Sequence, residues 1–519
     1  MKLSIERKGN YQYAKIPGKS CRVDGKVRKT GVVYLGRVID LDKGVFYNRE
    51  RGVFTYDIRT GKYGVADPEY SGDPVKDLTK KKKLILDFGD VYVVDRFIRS
   101  TGYYKVLDAI GSGNPDTLWA MAVYTLVSGG SYDAARLWQE GSFARVLYPR
   151  AGLGPAQISD FLEELGRDEL RRAYFEAHIR WIKEKICDSP ACLFDRTQLP
   201  DDLTVRYPPD GGFCDEVRMI TAMQRSSGFP LMFRIVPGDV AFVSSLSRTI
   251  ILLSEYGMHA DLSLVDAIED PEDLIEQFTR AGIDFVMQLS EKNQNLYNDL
   301  LKKGQADLLK KENLVIFEDH RVFIRRIECT VGKDHYPAYA YLGLDAEGSC
   351  DINQQALTSS GEKASSIDLM LNPSDPSWVF ILISAVPLDT REIPEIWQMR
   401  RQVEQEFSLS KGISRLPPLR IQPDQRAFGH LLLCQIAATI HLAIQKNIYP
   451  VCEDPEEMFM ALRNQKCEVF ADRIVPSKGQ RDVIQLYKKL RIEVPISFKR
   501  QKNQWTVSEI MPCSPEDHA

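Results

Sequence analysis

Hydrophobic and polar positions change period several times along the chain, and each change marks a different kind of element. Residues 1–85 alternate over short runs. Gly31-Val-Val-Tyr-Leu-Gly-Arg-Val-Ile39 and Gly52-Val-Phe-Thr-Tyr-Asp57 predict strands of a small β-rich region. From 86 to 186 the spacing becomes helical. Ala120 to Val127 is a core-type segment stopped by Ser128-Gly-Gly-Ser131, and the stretches Gln157 to Leu165 and Ala173 to Ile182 are amphipathic. His178 reads as a residue that fills a helix face.

Residues 187–290 change again. Ala191-Cys-Leu-Phe194 is a short apolar run that leads to Asp195, as in a buried strand closed by a carboxylate. Two more strands, Val217 to Met223 and Phe229 to Val236, flank the turn Arg225-Ser-Ser-Gly228. Pro237-Gly238-Asp239 opens a helix to about Tyr256. Leu262-Ser-Leu-Val265 is a fourth strand and also closes on a carboxylate, Asp266. A helix with Pro271 at its start and a fifth strand, Asp284 to Leu289, follow. The order is β-β-β-α-β-α-β. Residues 291–376 break that rhythm with lysine-bearing helices and β-type runs (Val322 to Thr330, Tyr336 to Leu342), predicting a β-rich insertion. Over 377–445 the core resumes with the buried strand Val379 to Ser384, helix start signals at Asp389 to Glu392 with Pro394, and an apolar helix from His430 to Ile444. That run is too short to cross a bilayer and predicts a core helix. Residues 446–519 are mixed and basic, and Ser514 to Ala519 read as a loose end.

The helix between, Ile396 to Lys411, is two-sided. With Trp397 at zero and about 100° per residue, Arg400, Glu404 and Lys411 fall within a strip about 60° wide. Ile396, Met399, Val403 and Phe407 form an apolar stripe beside it. Glu406 lies about 200° round from Glu404, so one of the two can share the strip. Such a helix holds a carboxylate at the edge of a core; an ordinary mixed-charge surface helix presents the same pattern.

Composition adds limits. The chain has 519 residues, enough for two to four domains, with 44% apolar and 27% charged residues. A net charge of −4 excludes a bulk polycation, so any nucleic-acid contact has to come from local strips, the Lys80 to Lys83 run among them. Ten cysteines contain no C-x-x-C spacing, which points to reduced thiols and a cytoplasmic protein. The first residues carry no apolar h-region, so neither a signal peptide nor a membrane partner is expected.

Three carboxylates stand out by position: Asp195 and Asp266 at strand ends, and Glu404 on the later helix. The element order predicts an α/β chain with a ribonuclease-H-like core, a mixed five-stranded sheet with helices, interrupted by the β-rich insertion. In that fold the first and fourth strands are neighbours. Oxygen ligands of this kind suit Mg²⁺ or Mn²⁺. Two ions about 3.5–4 Å apart serve in-line phosphoryl transfer. Arg400 and Lys411 suit a phosphodiester backbone.

The spacing W-x2-R-x3-E-x6-K (Trp397, Arg400, Glu404, Lys411) resembles the Y-R-E-K motif of DDE transposases of bacterial and archaeal insertion sequences, type four and its relatives. Phe194-Asp-Arg-Thr-Gln-Leu199 is similar to the family's first-Asp segment. Gly228-Phe-Pro-Leu231 with Pro237-Gly238-Asp239-Val240 is similar to its G-x-P-L…P-G-N-V stretch, and Leu262 to Asp266 to its second-Asp strand. The similarity spans about residues 30–445. It implies that Asp195, Asp266 and Glu404 are the metal-binding catalytic triad of a transposase that cleaves and joins DNA. It also implies that Trp397, Arg400 and Lys411 contact the element end, with double-stranded DNA as partner and a homodimer bringing two ends together. The helical region 86–186 is a further place for end binding. Trp397 stands where the family has Tyr: the ring is kept and the phenol hydroxyl is lost. Phe242 and Ala267-Ile-Glu269 also depart from the family pattern. A decayed or repurposed relative that binds DNA without cutting it is the alternative.

Overall fold

The computed structural model describes residues 3–9, 11–23, 26–30, 32–48, 51–67, 70, 84–128, 131–198, 205–206, 213–214, 217–237, 242–266, 271–289, 294–317, 320–331, 335–345, 379–397, 424–448, 455–493, 495–501 and 504–510. The fold is mixed α/β with several sheets, in two compact units. One is Met1–Trp181 with Leu409–Ala519; the other is Ile182–Ser408.

In the first unit the alternating N-terminal runs form a six-stranded antiparallel sheet. Its order follows the chain: Ser4–Lys8, Tyr11–Ile16, Val33–Asp40, Val45–Asn48, Gly52–Asp57, Lys62–Val65. A separate hairpin, Lys19–Val23 with Lys26–Thr30, interrupts it between the second and third of these strands. With period two, one face turns inward and buries Ala14, Ile16, Leu35, Phe46, Phe54 and Tyr56 in a single cluster.

The helical part of this unit is organised around Asp424–Ile448. This helix is apolar all round, so it has to be covered on all sides. It packs on Pro155–Leu165 and Pro115–Ser128. The expected core helix is therefore longer than the run that predicted it. By length and composition Gln425–Ile448 would span a membrane, at mean hydropathy 1.7, but 89% of its apolar window is buried in protein. The sequence grouped this segment with the α/β core; the structure places it among the helices of the first unit. Glycines make its closest crossing. A Cβ on Gly166 would lie 1.6 Å from the Gln425 carbonyl oxygen, and one on Gly429 would lie 2.0 Å from that of Leu162.

The C-terminal segments form a five-stranded antiparallel sheet, Gln504–Ile510, Pro495–Gln501, Arg473–Pro476, Lys466–Val469 and Leu84–Asp87. A strand from before the helices thus pairs with one from after them. Phe88, Tyr92, Phe143 and Phe498 pack ring to ring beneath. His178 is fully buried and stacks on Tyr174 at 5.0 Å, a packing residue.

The second unit is built on a nine-stranded sheet. Its order is Pro230–Pro237, Val217–Gln224, Ala191–Gln198, His259–Asp266, Phe285–Leu289, Val379–Ser384, Tyr336–Asp345, His320–Val331, Leu314–Phe317. Numbered along the chain, the first five core strands lie in space as third, second, first, fourth, fifth. The first three form an antiparallel meander. The fourth is parallel to the first, and the fifth parallel to the fourth. Helices Phe242–Glu255 and Pro271–Ala281 make the two connections that parallel pairing requires. The strands of the β-rich insertion continue this sheet, because Val379–Ser384 pairs with Phe285–Leu289 on one side and Tyr336–Asp345 on the other.

Candidate functional site

Asp195 lies within the strand Ala191–Gln198, which runs three residues beyond it, so the carboxylate is inside the strand rather than at its end. The apolar run ends at Phe194, but pairing with Arg218, Met219 and Ile220 carries the backbone on through Arg196, Thr197 and Gln198. Asp266 closes the strand His259–Asp266. The two strands are parallel neighbours with Leu193 opposite Leu262 and Phe194 opposite Ser263. Continuing that register sets Asp195 level with Leu264, two residues before Asp266. The two aspartates therefore occupy positions of the same parity, staggered by one two-residue repeat, about 6.6 Å along the strand.

That parity is shared with a packed face. Leu193 and Leu264 belong to one buried cluster with Met223, Val286, Ile393 and Ile396, and Trp397 packs against it. Ile393, Ile396 and Trp397 lie in the first turn of the helix predicted to carry Glu404. The turn is set by the expected start signals: Asp389 Oδ1 accepts from Arg391 N at 3.0 Å, and Ile396 N donates to Glu392 O at 3.0 Å. The loop before it is pinned to the sheet by Tyr341, whose hydroxyl accepts from Leu388 N at 2.6 Å. One face of the Trp397 indole lies on Phe380, with ring centroids 4.7 Å apart and planes 12° from parallel. Arg400, Glu404 and Lys411 lie outside the described residues, as does the Lys80 to Lys83 run.

Thr221, which sequence reasoning passed over, faces Asp195 across the strand pair Ala191–Gln198 and Val217–Gln224. It is buried, and its hydroxyl has no hydrogen-bond partner among the described residues. A buried hydroxyl without a partner costs free energy unless water or a ligand satisfies it. Its signal in the sequence was weak: one threonine in an apolar strand. Among the described residues no three His, Cys, Asp or Glu side chains are grouped to hold a metal ion. The side chains of Asp195 and Asp266 and all of Glu404 fall outside that set.

The first unit holds a cleft of 1020 Å³ between the N-terminal sheet, the helices and the C-terminal sheet. Much of its charge is internally paired, with Arg51 to Asp160 at 2.6 Å and Arg136 to Glu140 at 3.0 Å. Arg51 also lies 3.9 Å over the Tyr63 ring.

No protein-family model matches the chain, and no curated protein matches it. Among solved structures, the chain is similar to a piggyBac transposase in a synaptic complex with hairpin DNA. The TM-score is 0.29 and the identity 10%, over 73% of this chain and 70% of that one.

Proposed function

We propose that the chain is a transposase that cleaves and joins DNA by two-metal phosphoryl transfer on a ribonuclease-H-like core. The observation that carries this reading is the second unit's sheet. Its strand order, third-second-first-fourth-fifth with the fourth parallel to the first, is the order of that fold class. Asp195 and Asp266 occupy same-parity positions on the neighbouring first and fourth strands. The first turn of the Trp397 helix packs on the same cluster as Leu193 and Leu264. Glu404 follows seven residues after Trp397, two helical turns on along the strip.

A carboxylate donor set fits Mg²⁺ or Mn²⁺, and the Thr221 hydroxyl, without a partner among the described residues and cross-strand from Asp195, suits a hydrated site. Two such ions, when bound, activate an attacking oxygen and stabilise a leaving one. The chain's own part is to hold them with Asp195, Asp266 and Glu404 and to hold the phosphodiester with Arg400 and Lys411. Double-stranded DNA is the substrate, as element ends and target, and joining two ends calls for a homodimer. Trp397 contributes an aromatic edge beside the DNA while its other face is engaged by Phe380.

The test uses labelled DNA carrying the element end, with Mg²⁺. Asp195→Asn, Asp266→Asn and Glu404→Gln should each reduce cleavage to background while affinity for the DNA stays within about twofold. Variants that cut as the parent does would sink the mechanism. A parent chain that binds the end and never cuts would establish the DNA-binding relative instead.

A further inference from the structure

We propose that the outer face of the N-terminal six-stranded sheet binds single-stranded DNA, with unpaired bases on its tyrosines and phosphates on its cations. The site lies in the first unit and does not depend on the carboxylates of the second.

The inner face of this sheet is packed; the outer face carries large aromatic rings. Tyr34 is 71% exposed, Tyr11 52%, Tyr47 39% and Tyr13 38%. Scattered exposed apolar residues are ordinary, but a cluster on one face marks a contact surface. The register gathers these four. Tyr13, Arg37 and Tyr47 form one cross-strand row over three adjacent strands. Tyr11 is two residues along from Tyr13, and Tyr34 lies opposite Lys15. Strand spacing of about 4.8 Å and a repeat of about 6.6 Å set rings at distances that successive bases can span.

Cations are interleaved with the rings. The Arg37 guanidinium carbon lies 5.0 Å from the Tyr11 ring centroid and 5.3 Å from that of Tyr47. It lies over both rings, within cation–π range of each. Its Nε has no hydrogen-bond partner, and no carboxylate among the described residues pairs with it. Lys8, Lys15 and Lys62 have the same parity; the acids that share it are Glu6, 3.6 Å from Lys15, and Asp40 and Asp57 toward the other edge.

A second observation points the same way. The hairpin between the second and third strands of this sheet carries Lys19, Arg22, Lys26, Arg28 and Lys29. Residues 1–50 hold twelve Lys or Arg against five Asp or Glu, in a chain with net charge −4. Local positive charge of this kind is the footprint of a polyanion site.

Charge alone would accept a duplex or an acidic peptide; the rings decide between them. A duplex keeps its base faces stacked and offers a flat sheet only phosphates and groove edges. A single strand offers a π face at every base. An acidic peptide satisfies the cations and leaves four tyrosines unused.

The full-length protein is titrated into a labelled oligothymidine of about twenty nucleotides, into a duplex of equal length, and into poly-glutamate, at about 50 and 200 mM salt. Oligothymidine binding should depend on the tyrosines, and duplex and poly-glutamate binding should not. Tyr34→Ala and Tyr11→Ala should each weaken it by about five- to a hundredfold, while Tyr34→Phe keeps affinity because the ring does the stacking. Arg37→Gln should weaken binding and reduce the salt slope by about 0.7. Tyr34 is largely exposed, so its alanine variant keeps the fold; matching melting curves check this. The proposal is overturned if the alanine variants bind oligothymidine as the parent does, if the parent does not bind it, or if Tyr34→Ala weakens duplex or poly-glutamate as much as it weakens oligothymidine.

Discussion

Protonation of His430 should destabilise the helical part of the first unit. The imidazole is buried on Asp424–Ile448, with Nδ1 2.5 Å from the Tyr132 hydroxyl and Nε2 3.4 Å from Cys434 Sγ. Neither neighbour offers a negative charge, because burial raises Tyr132 well above its ordinary value and pushes Cys434 up to about 12. Burial moves His430 the other way, from 6.5 down to about 4. The unfolded chain therefore takes its proton near pH 6.5 and the folded chain only near pH 4, so protons favour the unfolded state. Stability from this site is full above pH 6.5 and falls as pH drops through 6.5 towards 4. At about 1.4 kcal/mol per pH unit, about 2 kcal/mol is lost between pH 7.5 and 5. Urea unfolding at the two pH values, followed by hydrogen exchange of residues 424–448, measures the loss. Other groups titrate in the same window, so the comparison is with His430→Gln, which is uncharged at both values. The parent should lose about 2 kcal/mol more than the variant. Equal losses in the two proteins would refute the argument.

Three more substitutions test the same unit. Gly429→Ala places a methyl 2.0 Å from the Leu162 carbonyl oxygen, a backbone atom with little room to yield, and should cost about 1–3 kcal/mol or more by urea unfolding. Gly141→Ala, with nothing within 4 Å of its added carbon, should be neutral or slightly stabilising in the same assay. Arg463 Nε donates to the buried Asp90 carboxylate at 2.9 Å, so Arg463→Leu leaves that carboxylate without its cation. The expected cost is about 3 kcal/mol, the low end for a broken buried pair because Arg463 is partly solvated. Adding Asp90→Asn should recover most of it, and a double variant as unstable as the single would refute the pairing argument.

The core strands of the second unit were legible because they are short apolar runs bounded by turn residues, whereas Leu314–Phe317 was not anticipated. Phe285–Leu289 was expected from Asp284, and Val379–Ser384 was expected at the same limits. Pairing was less legible. Nothing in Leu84–Asp87 announces Lys466–Val469 as its neighbour, since the choice is made by the aromatic packing of Phe88 and Tyr92 on Phe498. The partners of Asp424–Ile448 were hidden for a related reason. A helix apolar on every side has no preferred face, and two glycine contacts decide where it crosses its neighbour.

The two proposed sites differ in how far a sequence can show them. Asp195 and Asp266 each follow an apolar run, so an alternation argument finds the positions even though it stops the first strand too early. The tyrosine face defeats the same argument. In strict alternation Tyr34 and Arg37, three residues apart, would lie on opposite faces of their strand. The register between Tyr11–Ile16 and Val33–Asp40 shifts by one residue between Ala14 and Lys15, and this returns both residues to the outer face with Leu35 buried between them. Gly36 permits the shift. Its φ is +91°, and a Cβ there would meet the Tyr47 carbonyl oxygen at 2.3 Å. Arg37 reaches its place between Tyr11 and Tyr47 because the residue before it has no side chain. A pattern that depends on one irregular backbone position emerges only when the partner strand is known.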